Sequence, residues 1–305
     1  MCFNTVVVNP RRKDIRVQVL NLLTFARYNR DGFSIYLVDG NEEKIYRTLD
    51  FEKFVEFIKE NVKRPQLLHM HFRAASSGSI SLRNVHMWRV SSNSDENNYY
   101  YVSHNGFVYK FARIYYTPPN IYYWGSVIPA VAKTKSAKKI KEELEEIIEE
   151  ENDSDTLQFI KTEDFRNALF NDLNSFNEVL EKYSFWGVLF ATNKKHIVAI
   201  SYGKPLHVVL SNSVLYLSNE NIIPIVARKK KIYGFEFEDA LHTAYEDVVI
   251  LFDVERLNVE KIVKLKRKIY YYTKTCSNSK SCVSKNEELD EETLRKLDET
   301  YWWYY

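Results

Sequence analysis

The feature that most constrains the fold is a succession of short apolar runs, each about the length of a strand, separated by segments with helical periodicity. Thr5-Val6-Val7-Val8 is β-branched and apolar, the composition of a buried strand. Further runs follow at Phe33 to Val38, from Leu67, and at Tyr99 to Ser103. A later block comprises Phe185–Thr192, Ile197–Ser201, His207–Leu210, Val214–Ser218 and Val248–Phe252. Between them, Asp14 can cap a helix whose apolar positions Ile15, Val19, Leu22, Leu23 and Ala26 recur at helical spacing. A second helix is expected from Asp50 to Val62, with Phe51, Phe54, Val55 and Ile58 on one face, and a third from Phe165 to Tyr183.

Length and composition bound the rest. A chain of 305 residues can hold one large or two ordinary domains, and scarce Gly (8) and Pro (7) favour regular structure with few long linkers. A net charge of +2 argues against a dedicated polyanion binder, although Arg228 to Lys231 and Lys264 to Lys268 are basic runs with tyrosines nearby. No apolar run reaches about 18 residues and the N-terminus lacks a signal pattern, so a soluble, cytoplasmic protein without membrane association is expected. Cys2, Cys276 and Cys282 do not form a secreted disulfide framework; Cys276 and Cys282 could pair across five residues, and two free thiols are the state expected in a reducing cytosol.

The chemistry concentrates in four places. If Met1 is removed, Cys2 carries a thiol and a free α-amine on one residue, a nucleophile and its base, with ordinary pKa values of about 8.5 and 7.7 to 8.0. His69, His71 and Arg73 lie on one face of the run from Leu67, which then dissolves into the Ser76-Ser77-Gly78 loop and continues to Asn84-Val85-His86. His104-Asn105-Gly106 reads first as a hairpin turn. Asp153-Ser154-Asp155-Thr156 reads first as a helix cap. The histidines His69, His71, His86 and His104 lack acidic or thiol partners at ligand spacing, so neither a metal nor another cofactor is expected.

Taken in order, these segments resemble the class II glutamine amidotransferases, the N-terminal-nucleophile glutaminase domains. Cys2 is similar to the family's processed cysteine. His71-Phe72-Arg73-Ala74-Ala75-Ser76-Ser77-Gly78 through His86 resembles H-x-R-(W/Y)-A-T-x-G…N-x-H, Val102 to Gly106 resembles V-x-H-N-G, and Asp153 to Thr156 resembles the acidic segment. Trp186 to Phe190, Gly203-Lys204-Pro205-Leu206 and Leu215 to Ile225 are similar to the strands that close the domain. The chain departs from the pattern at Phe3, where the family has glycine and where a ring is expected to crowd the site or change the approach to the thiol. It also departs at Ala74, where the family has an aromatic residue, and Arg27 with the turn ending at Gly32 matches only loosely.

The resemblance implies an α+β fold, a four-layer αββα sandwich of two mainly antiparallel sheets with helices outside. It implies hydrolysis of L-glutamine to glutamate and ammonia through a thioester on Cys2. Asn105 and the Gly106 N–H would form the oxyanion hole, a bare glycine N–H being able to approach substrate closely. Arg73, with Ser76 and Arg27, would take the substrate carboxylate, and Asp155 its ammonium. Residues 1–262 are expected as this domain and 263–305 as an extension with a charged helix and an aromatic tail, too short for a synthase domain. Ammonia would then go to a separate synthase or acceptor subunit. The Lys-then-Glu block within 133–152 is expected as an inserted surface helix. A catalytically silent binding or structural relative, another N-terminal-nucleophile amide hydrolase, and a nucleic-acid binder remain as alternatives on these residues.

Overall fold

The computed structural model describes residues 2–111, 153–226, 229–232, 235–238, 240–266, 270–276 and 282–288. Its strands are β1 Phe3–Val8, β2 Phe33–Asp39, β3 Glu42–Thr48, β4 Leu67–Phe72, β5 Trp88–Ser91, β6 Tyr99–Val108, β7 Phe185–Thr192, β8 His196–Tyr202 and β9 Leu206–Ser211. They continue as β10 Val214–Ser218, β11 Lys229–Ile232, β12 Phe235–Glu238, β13 Ala240–Tyr245, β14 Val248–Asp253, β15 Asn258–Lys264, β16 Tyr270–Cys276 and β17 Cys282–Glu288. The helices are α1 Arg16–Leu22, α2 Phe51–Asn61, α3 Asp155–Ile160, α4 Glu163–Phe170, α5 Phe176–Lys182 and α6 Ile223–Val226.

β11 pairs with β12 and β16 with β17 as two-stranded sheets; the other thirteen strands form one seven-stranded sheet, β13-β9-β10-β1-β4-β2-β3, and one six-stranded sheet, β15-β14-β8-β7-β6-β5. Pairing within both is antiparallel. The alternation of side chains along each strand decides the layers. Along β1, Val6 and Val8 turn inward to meet Val188, Phe190 and Ile250 of the second sheet, and Phe3 and Val7 turn outward to α1 and α2. The second sheet sends Val102, Leu189, Ala191, Val198 and Ile200 outward to Phe159, Phe165, Phe176 and Leu180 of α3, α4 and α5. Three cores between four layers result, an α+β sandwich in the αββα order implied by the motifs. β1 is the central strand of its sheet, so whatever precedes Phe3 is delivered to the end of the inter-sheet layer.

Several local expectations change. The single helix from Phe165 to Tyr183 breaks, because Asp172 accepts the Asn174 backbone N–H at 3.0 Å and its side-chain amide at 2.7 Å, competing with the helical ladder. Asn105-Gly106 is not a turn but lies inside β6. α2 forms where a helix was expected; Asp50 caps its first turn by accepting the Glu52 and Lys53 N–H groups, and Phe54 and Ile58 are buried, while Phe51 is exposed. Contacts divide the chain into Met1–Leu265 and Lys266–Tyr305. In the second unit β16 and β17 form a hairpin whose register sets Cys276 opposite Cys282. The helix expected within 133–152, the charged helix and the aromatic tail of the extension lie outside the described residues, as do Arg228, Arg267 and Lys268 of the basic runs. No helix among the described residues is long and apolar enough to cross a membrane.

Candidate active site

Cys2 inherits the pleat of β1. Asn4, Val6 and Val8 face the second sheet, so Cys2 is turned the same way and Phe3 the opposite way, where its ring stacks on Phe25 with centroids 4.2 Å apart and packs on Phe72. The crowding of the site expected from Phe3 is therefore not found: the ring belongs to the outer core. The Cys2 sulfur sits against Ala74, accepting its N–H at 3.3 Å and donating to its carbonyl at 3.5 Å. Burial pushes the thiol pKa up, the Ala74 N–H and the Arg73 guanidinium pull it down, and Asp155 adds to the upward push.

Three distant segments arrive at the same end of the inter-sheet layer. β4 runs antiparallel to β1 with Phe72 opposite Phe3. Its inward side chains track along β6: His69 meets the Ser103 hydroxyl at 2.5 Å, and His71 Nε2 donates to the His104 carbonyl at 3.2 Å. The next inward residue is Arg73, so Arg73 and Cys2 fall at the Asn105–Gly106 end of β6. His69, His71 and Arg73 do share a face, as the sequence indicated, but it is a buried one, and Arg73 is 2% exposed. Asn105 is buried, and its side-chain nitrogen has no hydrogen-bond partner among the described residues.

Gly106 has a physical reason beyond substrate approach. Its φ is +155°, and a Cβ there would stand 1.9 Å from the Trp186 carbonyl; its cross-strand partner Gly187 has φ +135°, with a Cβ 2.2 Å from the Asn105 carbonyl. Paired glycines let β6 and β7 close around the His104 imidazole, whose Nε2 is 2.7 Å from either Cβ position.

Arg73 is tied to its own loop, donating to the carbonyls of Ser77 (2.8 Å), Gly78 (3.3 Å) and Ser79 (2.8 Å). Ser77 donates its hydroxyl to Asp155 at 2.6 Å, and the other Asp155 oxygen accepts the Val108 N–H at 2.7 Å. The helix cap at this corner is Ser154, which accepts the Leu157 N–H at 3.2 Å and leaves Asp155 turned into the site. Asn84 donates to the Ser79 carbonyl and accepts the Ser154 N–H, joining the loop to α3.

Not every expected residue joins this group. Ser76 is exposed, and Ser77 makes the bond to Asp155. Arg27 is exposed at the end of the 3-10 turn Leu23–Arg27 and lines a separate hollow with Leu20, Arg30 and Phe51. Beyond that turn it is Asp31, just before β2, that reaches the site, accepting the Ala75 N–H at 2.7 Å. Sequence reasoning missed Ser77, Asp31 and Asn219; the last donates to the Cys2 carbonyl at 3.3 Å.

The buried histidines form a neutral scaffold. His71 and His86 stack with centroids 3.8 Å apart, and His86 Nδ1 accepts the His104 N–H. His104 Nε2 faces the Trp186 carbonyl and must donate, so its Nδ1 accepts from Thr156. Burial pushes His69 down to about 3 and His104 to about 4, and holds His71 and His86 well below the usual range. Among the described residues, the group with metal-ligand proximity is elsewhere: His196, Asp253 and Glu260, whose ligand atoms lie within 4.8 Å of one another on β8, β14 and β15.

No protein-family model matches the sequence, and no curated protein matches it. Among solved structures the chain is similar to a glutamine phosphoribosylpyrophosphate amidotransferase from B. subtilis, at 12% identity over 88% of this chain and 50% of that one, with a TM-score of 0.51. It is also similar to an allosteric regulatory enzyme of purine biosynthesis, at 13% identity over the same shares, with a TM-score of 0.54. This chain thus spans about half the length of either. A glutamine aminotransferase class-II domain protein from Silicibacter pomeroyi is 10% identical over 88% of this chain and 100% of its own, with a TM-score of 0.44. At these identities the likeness is one of fold, and at that level the chain resembles the class II glutamine amidotransferase domain, as its motifs implied.

Proposed function

We propose that the chain hydrolyses L-glutamine to glutamate and ammonia. Once Met1 is removed, the Cys2 α-amine takes the thiol proton and the sulfur attacks the substrate's γ-carbonyl carbon. The resulting oxyanion is received by the Asn105 side-chain amide and the Gly106 N–H. The C–N bond breaks as the amine returns the proton to the leaving nitrogen, and water then cleaves the γ-glutamyl thioester, regenerating the thiol. Arg73 and Asp155 hold the α-carboxylate and α-ammonium, which favours a free amino acid over a plain amide. Ser76 and Arg27 have a smaller part in this reading than the sequence suggested, since both are exposed. The catalytic domain would be residues 1–262, with 263–305 as an extension. Ammonia would pass to a separate acceptor or synthase subunit.

The observation that carries this reading is the unpartnered Asn105 amide nitrogen, buried at the end of β6 to which Cys2 and Arg73 are also brought. A buried donor without a partner costs about 1–3 kcal/mol, a cost that binding an oxyanion would offset. The test is ammonia release from glutamine by wild type and Cys2→Ala, after intact-mass measurement of Met1 removal. Release by wild type alone is expected, and equal release from both removes Cys2 from the mechanism. A second reading, a catalytically silent relative, is favoured by the commitment of Arg73 donors to the carbonyls of residues 77–79. A processed wild type that releases no ammonia would decide for it.

A further inference from the structure

The backbone ladder that aligns β1 with β10 ends at Thr5 opposite Ser218, short of Cys2. Resting on the glutaminase reading, we propose that Asn219 is a positioning residue for Cys2, its side-chain amide standing in for the next peptide group of that ladder. A primary amide presents a planar acceptor and donor, as a peptide unit does. Asn219 uses them in that manner. Its backbone N–H donates to the Asn4 carbonyl at 3.1 Å, its Oδ1 accepts the Asn4 N–H at 2.5 Å, and its Nδ2 donates to the Cys2 carbonyl at 3.3 Å. The residue is 1% exposed.

The orientation of the amide is set from behind. Nδ2 also donates to Glu220 Oε1 at 2.9 Å, and a carboxylate can only accept, so the nitrogen is held toward Glu220 and Cys2 and the oxygen toward Asn4. Lys204, itself largely buried, lies 3.4 Å from the same Glu220 oxygen. Ala74 engages the Cys2 sulfur, and Asn219 engages the Cys2 carbonyl. Between them they fix the rotation of the residue whose sulfur and α-nitrogen must both face the substrate carbonyl. Asn219 touches neither the sulfur nor the substrate in this proposal; it acts through the backbone of residues 2 and 4.

The test uses the full chain with Asn219→Asp, Asn219→Ser and Glu220→Ala. The aspartate keeps size and the acceptor for Asn4, but turns a second acceptor toward the Cys2 carbonyl. Two readouts are taken: iodoacetamide alkylation of Cys2 across pH, located by peptide mass, and glutamine turnover with kcat and KM separated. For variants with wild-type circular dichroism, kcat is expected to fall about tenfold with KM within about twofold, as misplacement of a reacting group predicts, and the alkylation profile is expected to shift. Glu220→Ala moves both in the same direction by less, and decides alone if the Asn219 variants do not fold. Folded variants with a wild-type alkylation profile and kcat overturn the proposal. If wild type releases no ammonia, the glutaminase reading has failed, and the alkylation profiles still decide the role of Asn219.

Discussion

The Ser77 hydroxyl donates to the Asp155 carboxylate at 2.6 Å, across 78 positions of sequence, while the Ser77 carbonyl accepts from the Arg73 guanidinium at 2.8 Å. One residue thus bridges the cation and the anion proposed to hold the two ends of a zwitterion, and fixes their spacing. Ser77→Ala removes the hydroxyl and leaves the backbone carbonyl in place. The expected outcome is a KM for glutamine raised about tenfold with kcat changed less, since the lost term is about 1.4 kcal/mol of uniform binding. Steady-state ammonia release checks it, and an unchanged KM would detach Ser77 from substrate binding.

Asn105→Ala separates activity from stability. Truncating a buried asparagine ordinarily breaks hydrogen bonds and costs stability, but here the side-chain nitrogen has no partner to lose among the described residues. The variant is expected to lower kcat about 10²–10³-fold, the usual effect of removing an oxyanion donor, while its urea midpoint stays near that of wild type. Paired kinetics and denaturation on one preparation read both. A large loss of stability with near-normal turnover would reverse the assignment.

The layers of the fold were legible because strand pleat and helix period write themselves into adjacent residues: His69, His71 and Arg73 share a face in sequence and in space. What could not be read was which face is buried, since that depends on β6 and β7 arriving from far along the chain. Asn105-Gly106 has the composition of a turn, and becomes strand because Gly187 lies opposite and completes the close approach. Ser77 and Ser76 are chemically alike, and only the path of the loop over Asp155 chooses between them. Asn219 left no signal at all, because a side chain that replaces a peptide group follows no periodicity.

Gly106→Ala should be severely destabilising. The added Cβ would meet the Trp186 carbonyl at 1.9 Å, a backbone atom that cannot swing aside, and φ at +155° is poor for an L side chain. A loss of more than about 3 kcal/mol is expected, in the range reserved for core clashes and strained backbone. Gly187→Ala should behave alike, and the double variant should cost less than the sum, because both open the same strand crossing. Additive losses in a double-mutant cycle would mean that the two glycines answer to separate constraints.

Stability should fall with mild acid, and the buried histidines set the window. His69, His71, His86 and His104 are held neutral in the folded chain by burial, with His104 near 4 and His69 near 3, whereas an unfolded histidine titrates near about 6.5. Between those values the unfolded chain binds protons that the folded chain refuses, so stability is complete above about pH 6.5 and is lost as pH drops. Each such histidine contributes a slope of up to about 1.4 kcal/mol per pH unit. Carboxylates with lowered pKa, such as Asp14 and Asp164, enter only below the ordinary carboxylate range, so the loss between pH 6.5 and 5 belongs to imidazoles. Urea denaturation at pH 7.5, 6.5, 5.5 and 4.5 is expected to show a steep fall from 6.5 downward, made shallower by His104→Gln. A midpoint that does not move between pH 7.5 and 5.5 would mean that these rings already carry their protons inside the fold, and the stack of neutral rings beneath the site would have to be redrawn.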